Sequence, residues 1–272
     1  MKPWLEVCRD AVGDIKAVLA ELPTRVEREP VLQLGEGGDD TTAIDAAAEE
    51  VVVDRLEALG ADLTLVSEEL GVRTFGSGGS VHVVVDPIDG SVNAKRGIPY
   101  FSLSLAVADG PTMDDVTFGF VHDFGAGEEF SAARGDGARL DGIPIDPPRE
   151  EMPLEVVGLE SSDPRWIVGA IEDLQGKAYR IRSIGSIAIT LSYVACGRFD
   201  GMLSARGCRS VDAAAAQLVV REAGCEIAFV GYGLAGATLD LETRYPVIAA
   251  RSGAHLEVVL EALEAGMARQ AD

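Results

Sequence analysis

The strongest structural signal in the chain is the stretch Val83-Val84-Val85-Asp86-Pro87-Ile88-Asp89-Gly90-Ser91. Its apolar residues predict a strand that ends directly at Asp86, and the following proline and glycine predict a tight turn before a helix begins near Gly90. The two carboxylates, three residues apart at a strand end, can point into one crevice. Backbone N–H groups at a helix start can hold a phosphate, and carboxylate oxygens suit Mg²⁺. The same residues are also typical of a solvated turn, so this stretch alone leaves both interpretations open.

Carboxylates elsewhere in the chain favour the functional interpretation. Glu68 follows a predicted strand at 63–66, and Asp45 lies on a predicted helix after the polar loop 39–42. Asp212 begins a predicted helix whose next four residues are alanines, and such small residues let a helix approach another element closely. Each residue also has a simple structural interpretation, with Asp212 as the N-cap of its helix and Asp45 as a solvated helix residue.

The hydrophobic pattern predicts two halves, 1–145 and 146–272, joined at a proline-rich acidic stretch. In the first half, apolar residues recur at spacings of three and four over two helices, and short strands follow. The second half alternates strands and helices. Helices are predicted near 4–22, 44–59, 163–175, 184–196, 211–223 and 257–270. Strands are predicted near 63–66, 81–85, 101–107, 116–121, 156–160, 201–204 and 246–250. The pattern therefore predicts α/β or α+β halves stacked in layers.

The composition excludes several classes of function. The chain of 272 residues contains 45 Asp and Glu against 23 Lys and Arg, a formal charge of −22. Because nucleic acids and anionic lipids bind basic surfaces, neither is an expected partner. No apolar run is long enough to span a bilayer, and the first residues lack the apolar stretch of a secretory signal. We therefore expect a cytoplasmic protein whose cysteines are reduced.

Other types of site fit the sequence poorly. The D-x-D nucleophile motif of haloacid-dehalogenase-type phosphatases fails, because two residues separate Asp86 from Asp89. No stretch has the alternating acidic residues of an EF-hand, and no Walker A lysine follows the glycine-rich loops. The three histidines lie in predicted strand, strand-end and helix-start contexts, which favours structural or solvated roles over a serine triad.

Three motifs together resemble the inositol monophosphatase superfamily. The stretch Asp86-Pro87-Ile88-Asp89-Gly90-Ser91 resembles its D-P-[IL]-D-G-[ST] signature, and Ser67-Glu68-Glu69 resembles its upstream glutamate motif. The second signature, W-D-x-A-A-G with a downstream E-A-G-G, is similar to Val211-Asp212-Ala213-Ala214-Ala215-Ala216 followed by Glu222-Ala223-Gly224. The motifs occur in the family's order, and the resemblance covers essentially the whole chain.

Segments 38–45 and 182–186 resemble the archaeal branch of that superfamily, whose members hydrolyse both inositol monophosphate and fructose 1,6-bisphosphate. The resemblance implies a layered αβαβα sandwich and a magnesium-dependent phosphate monoester hydrolase, in which a metal-activated water attacks the phosphate. It further implies a homodimer that acts on a small phosphorylated sugar or polyol. Two or three Mg²⁺ ions per active site are implied as the cofactor, with Mn²⁺ as an alternative ion.

The resemblance also implies metal-binding roles for individual residues. A first Mg²⁺ would be bound by Glu68, Asp86 and the carbonyl of Ile88. A second would be bound by Asp86, Asp89 and Asp212. A third, weaker ion would use Glu68 and water, with Asp39 or Asp40 reaching in from a mobile loop, and Asp45 would support the metal shell.

Catalytic and substrate-binding roles follow from the same resemblance. Ser91, paired with Glu68, would orient the attacking water. Gly90 and Ser91 would offer backbone N–H groups to the phosphate. Gly185 and Ser186 match the family's ligand-contacting Gly-[ST] pair.

Two departures from the family pattern concern the substrate. Val211 stands where the family has tryptophan, and Ala205 stands where animal inositol monophosphatases place a glutamate that grips inositol hydroxyls. Arg206, with Arg182 nearby in the fold, would instead suit a second phosphate, as in fructose 1,6-bisphosphate. A surface arginine that balances an acidic chain is the equally open alternative. Hydrolysis of 3′-phosphoadenosine 5′-phosphate and a non-catalytic, metal-binding regulatory role on the same scaffold are the competing functions.

Overall fold

The structure is a computed structural model that describes residues 2–36, 40–146, 153–160, 164–204 and 206–270. Its secondary structure forms five layers: a helix pair, an eight-stranded sheet, a second helix pair, a five-stranded sheet and a third helix pair. The predicted αβαβα sandwich is therefore confirmed. The division of the chain at residues 145 and 146 stays a prediction.

The first layer consists of α1 (Lys2–Glu21) and α3 (Ala43–Ala58), which cover one face of the larger sheet. Between them the chain forms α2 (Arg25–Arg28), β1 (Val31–Leu34) and β2 (Asp40–Thr42), with β1 and β2 paired antiparallel. Thr42 and Asp45 form a capping box, so that α3 begins at Ala43.

The larger sheet occupies the second layer. Its strands are β3 (Leu63–Ser67), β4 (Gly71–Phe75), β5 (His82–Asp89), β6 (Ser102–Ala108), β7 (Val116–Asp123), β8 (Glu128–Ala133), β9 (Ala138–Leu140) and β10 (Ile143–Pro144). Their order is β10-β9-β8-β7-β6-β5-β3-β4, antiparallel throughout except for the parallel β3–β5 pair. Because β3 and β5 run parallel, their C-terminal ends reach the same edge of the sheet.

The middle layer is formed by α6 (Ile187–Ala195) and α7 (Ser210–Glu222), which lie between the two sheets. Strand β5 is buried on both sides, because Val83 and Val85 face the first helix layer while Val84 faces the middle one. The sheet face under α7 carries small side chains. A Cβ atom added at Gly119 would lie 2.4 Å from the carbonyl oxygen of Ala215, so the alanine run of α7 sits directly on the sheet, as its composition predicts.

The fourth and fifth layers complete the molecule. The smaller sheet contains β11 (Leu154–Glu160), β12 (Ala178–Arg182), β13 (Gly201–Ser204), β14 (Glu226–Phe229) and β15 (Val247–Ala250). Their order is β12-β11-β13-β15-β14, with β11 parallel to β12 and β13, and β15 antiparallel to its neighbours. The outer face is covered by α5 (Pro164–Asp173) and α9 (Gly253–Gln270). The short helices α4 (Ser91–Arg96) and α8 (Gly233–Gly236) and a 3₁₀ turn at Met113–Asp115 lie in connections.

Several details differ from the sequence-based prediction. The helix predicted from 184 begins at Ile187, because Gly185 has a left-handed φ of +78° and Ser186 caps the helix, its Oγ accepting the N–H of Ile189. The structure also contains strands that the pattern did not predict, namely β1, β2, β4, β8, β9, β10, β12 and β14. Among the described helices, none is both long and apolar enough to cross a bilayer.

Candidate active site

Three carboxylates from distant parts of the chain meet at the edge where β3 and β5 end. Glu68 follows β3 directly, Asp86 lies near the end of β5, and Asp212 lies in the first turn of α7. One oxygen of each side chain lies within 4.8 Å of the others, and all three residues are buried. The structure therefore brings together three of the four carboxylates that the motifs select as metal ligands.

A β-bulge explains why Asp86 and Asp89 both face this edge. Asp86 pairs with Ser104 and Asp89 pairs with Ser102, so three steps along β5 match two steps along β6. In a regular strand, side chains three residues apart point to opposite faces, but the extra residue of the bulge restores the same face. Both aspartates consequently point toward the middle helix layer.

Asp89 stands slightly apart from the other three and caps α6. Its Oδ2 accepts hydrogen bonds from Ser186 Oγ at 2.5 Å and from the backbone N–H of Ala188 at 2.8 Å. The turn that carries Ser186 also approaches the first motif closely, because a Cβ atom added at Gly90 would lie 3.0 Å from the Gly185 carbonyl oxygen. The predicted Gly185–Ser186 pair thus lies against the Asp89–Gly90 turn.

Burial and mutual repulsion raise the pKa values of this group. Desolvation, with a further contribution from neighbouring carboxylates, raises the pKa of Glu68 to about 8. Desolvation and the charge of Asp212 raise the pKa of Asp89 to about 7, and desolvation followed by the charge of Glu68 raises the pKa of Asp86 well above its usual range. Buried oxygens that repel one another in this way are suited to a hard divalent cation, whose charge would remove the repulsion.

Side chains of the segment itself hold the end of β5 and the turn that follows it. The backbone N–H of Ile88 donates to Asp86 Oδ1 at 2.9 Å, and Ser91 Oγ donates to the Ile88 carbonyl oxygen at 3.0 Å. Gly90 has a φ of +100°, a conformation that favours glycine. Ser91 therefore lies beside the predicted carbonyl ligand.

Asp45 is buried at the start of α3, so its interpretation as a solvated helix residue is wrong. Its Oδ2 accepts the backbone N–H of Thr42 at 3.1 Å and the Thr42 hydroxyl at 2.5 Å. Its Oδ1 is fully buried and has no hydrogen-bond partner among the described residues. A buried carboxylate oxygen without a hydrogen bond lowers the stability of the fold, and a cation or water bound at this position would remove that cost.

A cavity of about 760 Å³ opens over these residues. Its lining includes acidic residues, among them the predicted loop residue Asp40, and the basic residues Lys95, Arg206 and Arg244. Arg182 is exposed and is not among the described residues that line the cavity. Asp39 and Ala205, which the sequence comparison singles out, lie outside the described residues.

The sequence analysis missed two polar residues of the site, the buried Glu160 and the half-buried Arg209. Glu160 ends β11, and its carboxylate accepts the backbone N–H groups of Ile184 at 3.0 Å and Gly185 at 2.9 Å. Arg209, at the N-cap of α7, forms an ion pair with Glu68. A signal existed for Glu160, since it is a carboxylate at a strand end like Glu68, but nothing in the sequence indicates the partner of Arg209.

Comparisons with known proteins agree with this arrangement. The profile of the inositol monophosphatase family matches residues 4–268. A fructose-1,6-bisphosphatase/inositol-1-monophosphatase of Methanothermobacter thermautotrophicus is 31% identical over 275 aligned positions, which cover 96% of each chain. The Nus factor SuhB of Haemophilus influenzae is 31% identical over 232 positions, covering 82% of this chain and 84% of its own. A crystal structure of an inositol monophosphatase–fructose 1,6-bisphosphatase superposes with a TM-score of 0.83 at 27% identity, covering 95% of this chain and 99% of its own.

Proposed function

The chain belongs to the inositol monophosphatase family, as its motifs predict, and we propose that it is a Mg²⁺-dependent hydrolase of fructose 1,6-bisphosphate, inositol 1-phosphate or both. The observation that carries this proposal is the convergence of Glu68, Asp86 and Asp212, whose oxygens lie within 4.8 Å of one another beneath an open cavity. A carboxylate cluster repels a phosphate dianion. The cluster can therefore form part of a phosphate site only when cations bind between the carboxylates and the phosphate.

The donor set fits magnesium. Glu68, Asp86, Asp89, Asp212 and the carbonyl of Ile88 supply only oxygen ligands, which Mg²⁺ prefers, and two or three ions with Mn²⁺ as an alternative are proposed. Bound there, the metal would neutralise the phosphate and lower the pKa of a coordinated water. The buried Oδ1 of Asp45 supports a role for this residue in the surroundings of the metal.

The chain's own groups would position the substrate and the attacking water. The Ser91 hydroxyl, fixed at 3.0 Å from the Ile88 carbonyl, would orient the water together with the Glu68 carboxylate. Backbone N–H groups of Gly90 and Ser91 would face the phosphate, at the place where the backbone of Gly90 lies close to that of Gly185. Positioning and charge stabilisation of this kind account for most of the rate enhancement in phosphoryl transfer.

The basic residues in the lining of the cavity support a bisphosphate as one substrate. Arg206 lines the same cavity as the carboxylates, and Lys95 and Arg244 line it too. The relative from Methanothermobacter thermautotrophicus is named for activity on fructose 1,6-bisphosphate. We propose that Arg206 contacts the phosphate that is not cleaved.

A regulatory role is the second candidate, because relatives named Nus factor SuhB match 82% of this chain. The buried carboxylate cluster favours the enzyme. Holding like charges together in a buried site costs free energy, and a purely regulatory role does not require such a cluster. A homodimer is proposed for either function, and light scattering of the purified protein measures it.

Phosphate release from fructose 1,6-bisphosphate, inositol 1-phosphate and 3′-phosphoadenosine 5′-phosphate, with Mg²⁺ and with EDTA, tests the proposal. We expect Mg²⁺-dependent release from at least one of the first two compounds. Asp86→Asn should abolish turnover while leaving circular dichroism unchanged, because it removes a central charge of the cluster. Release from the nucleotide alone would favour the nucleotide phosphatase, and no release from any compound would favour the regulatory role.

A further inference from the structure

Arg209 lies inside the carboxylate cluster. Its Nη2 is 2.5 Å from Glu68 Oε1, and its Nε is 3.7 Å from Asp212 Oδ1. The side chain of Arg209 is 13% exposed, and those of Glu68 and Asp212 are each 11% exposed. Because water reaches these groups poorly, the contacts are stronger than those of a surface ion pair.

The backbone around Arg209 is fixed on both sides. Cys208, before it, exchanges two backbone hydrogen bonds with Tyr245, both 2.9 Å long. After it, Ser210 Oγ donates to the Asp240 carbonyl at 2.6 Å, and the Arg209 N–H donates to Asp212 Oδ2 at 2.7 Å. These hydrogen bonds fix the backbone of Arg209 beside the cluster, so the side chain is the part of the residue that can move.

The guanidinium and a divalent cation need the same oxygens. Glu68 and Asp212 are both candidate metal ligands, so a cation at the cluster would face the positive charge of Arg209 within a few ångströms. Like charges at such a distance in a poorly hydrated site repel each other strongly. We propose that Arg209 is the internal counter-ion of the metal site: it stabilises the carboxylate cluster without metal and lowers the affinity of the cluster for Mg²⁺.

The role of Arg209 rests on the proposed function, since Glu68 and Asp212 are taken as metal ligands. Beyond that function, it identifies a side chain of the protein itself as a cation that competes with the metal. A merely structural ion pair would change stability alone. A counter-ion has opposite effects on two quantities, because its loss destabilises the protein without metal and strengthens metal binding. These paired effects distinguish the two roles.

Isothermal titration of the EDTA-treated, dialysed protein with MgCl₂ measures the affinity. We expect Arg209→Gln to bind Mg²⁺ about tenfold more tightly than the unaltered chain, or tighter still. Without metal, its melting temperature should be lower by about 5 °C or more, and saturating Mg²⁺ should close that gap. Arg221→Gln is the matched control, because it removes one positive charge from the same helix, where Arg221 faces Asp114 away from the cavity.

The variant Arg209→Lys separates an effect of the positive charge on Mg²⁺ affinity from an effect of the substitution on folding. Because it retains the positive charge, its Mg²⁺ affinity should stay within about threefold of the unaltered chain. A tenfold change in either direction would show that the shape of the guanidinium matters rather than its charge, and would overturn the proposal. Equal or weaker Mg²⁺ binding by Arg209→Gln would overturn it as well. If the unaltered chain bound no Mg²⁺, the metal site of the proposed function would fail too, so the two failures are distinguishable.

Discussion

The buried carboxyl of Glu49 makes the stability of the protein depend on pH in a way that one substitution can isolate. Glu49 lies in α3 and is 3% exposed. It accepts a hydrogen bond from Ser67 Oγ and from the backbone N–H groups of Leu70 and Glu69. Desolvation, and then the charge of Glu69, raises its pKa from 4.5 to about 8.

The sign of the effect follows from proton linkage. Between pH 4.5 and 8 the folded protein keeps a proton on Glu49 that the unfolded chain has released, so stability decreases as the pH rises. The linkage relation gives a loss of about 3.5 kcal/mol between pH 5 and pH 8 for a shift of this size. This loss should be absent from Glu49→Gln, whose amide does not titrate.

Urea denaturation at pH 5 and pH 8, with EDTA throughout, measures the difference. Relative to Glu49→Gln, the unaltered chain should lose about 3.5 kcal/mol of unfolding free energy over this interval, because the other titrating groups are common to both proteins. Glu50→Gln is the control, since Glu50 is exposed on the same helix and should leave the pH dependence unchanged. Parallel pH dependences for the unaltered chain and Glu49→Gln, within about 0.5 kcal/mol, would refute the assignment of this proton to Glu49.

Three further predictions concern the site and its support. Arg206→Ala should lose more kcat/KM on fructose 1,6-bisphosphate than on a monophosphate, by about tenfold, and equal losses in steady-state assays would contradict a contact with the second phosphate. Glu160→Gln should raise KM about threefold to tenfold while kcat stays within about twofold, because the Gly185 turn loses one acceptor; a fall in kcat alone would argue against a positioning role. Gly119→Val should cost about 2–3 kcal/mol in urea denaturation, because its side chain meets the Ala215 carbonyl, whereas Gly13→Ala, with open space around it, should be neutral or stabilising.

The elements predicted well are those in which hydrophobic periodicity and burial agree. Strand β6 alternates apolar and small residues, and it forms within one residue of the predicted range. Strand β12 was missed because it lies at the edge of its sheet, where Tyr179 and Arg180 are exposed and no alternating apolar face is required. Strand β8 begins with two glutamates and contains no β-branched residue, so its sequence lacks the usual signal.

The carboxylates of the candidate site were predicted from residue types at strand ends and helix starts. The residues that this prediction missed were missed for physical reasons. Glu68 and Asp86 were selected because each lies at the end of a predicted strand. That these ends reach one edge depends on the parallel pairing of β3 and β5, which the sequence pattern did not predict. The burial of Asp45 could not be read locally, since it depends on how the start of α3 packs against the rest of the protein. The pairing of Arg209 with Glu68 is a contact between distant segments, and no local pattern encodes its partner.

Asp212 shows how packing far from the chemistry supports the site. It reaches the cluster because α7 lies directly on β6 and β7, where Gly119 allows the Ala215 backbone to approach. The register of β5 and β6 adds a second link, since Ser104 pairs with Asp86 and its hydroxyl donates to the Val211 carbonyl at 3.3 Å, one residue before Asp212. The distance between the two aspartates therefore depends on the strand pairing and on the small residues beneath the helix. A substitution at Gly119 that still folds should for this reason weaken Mg²⁺ binding as well as stability, although it contacts no ligand.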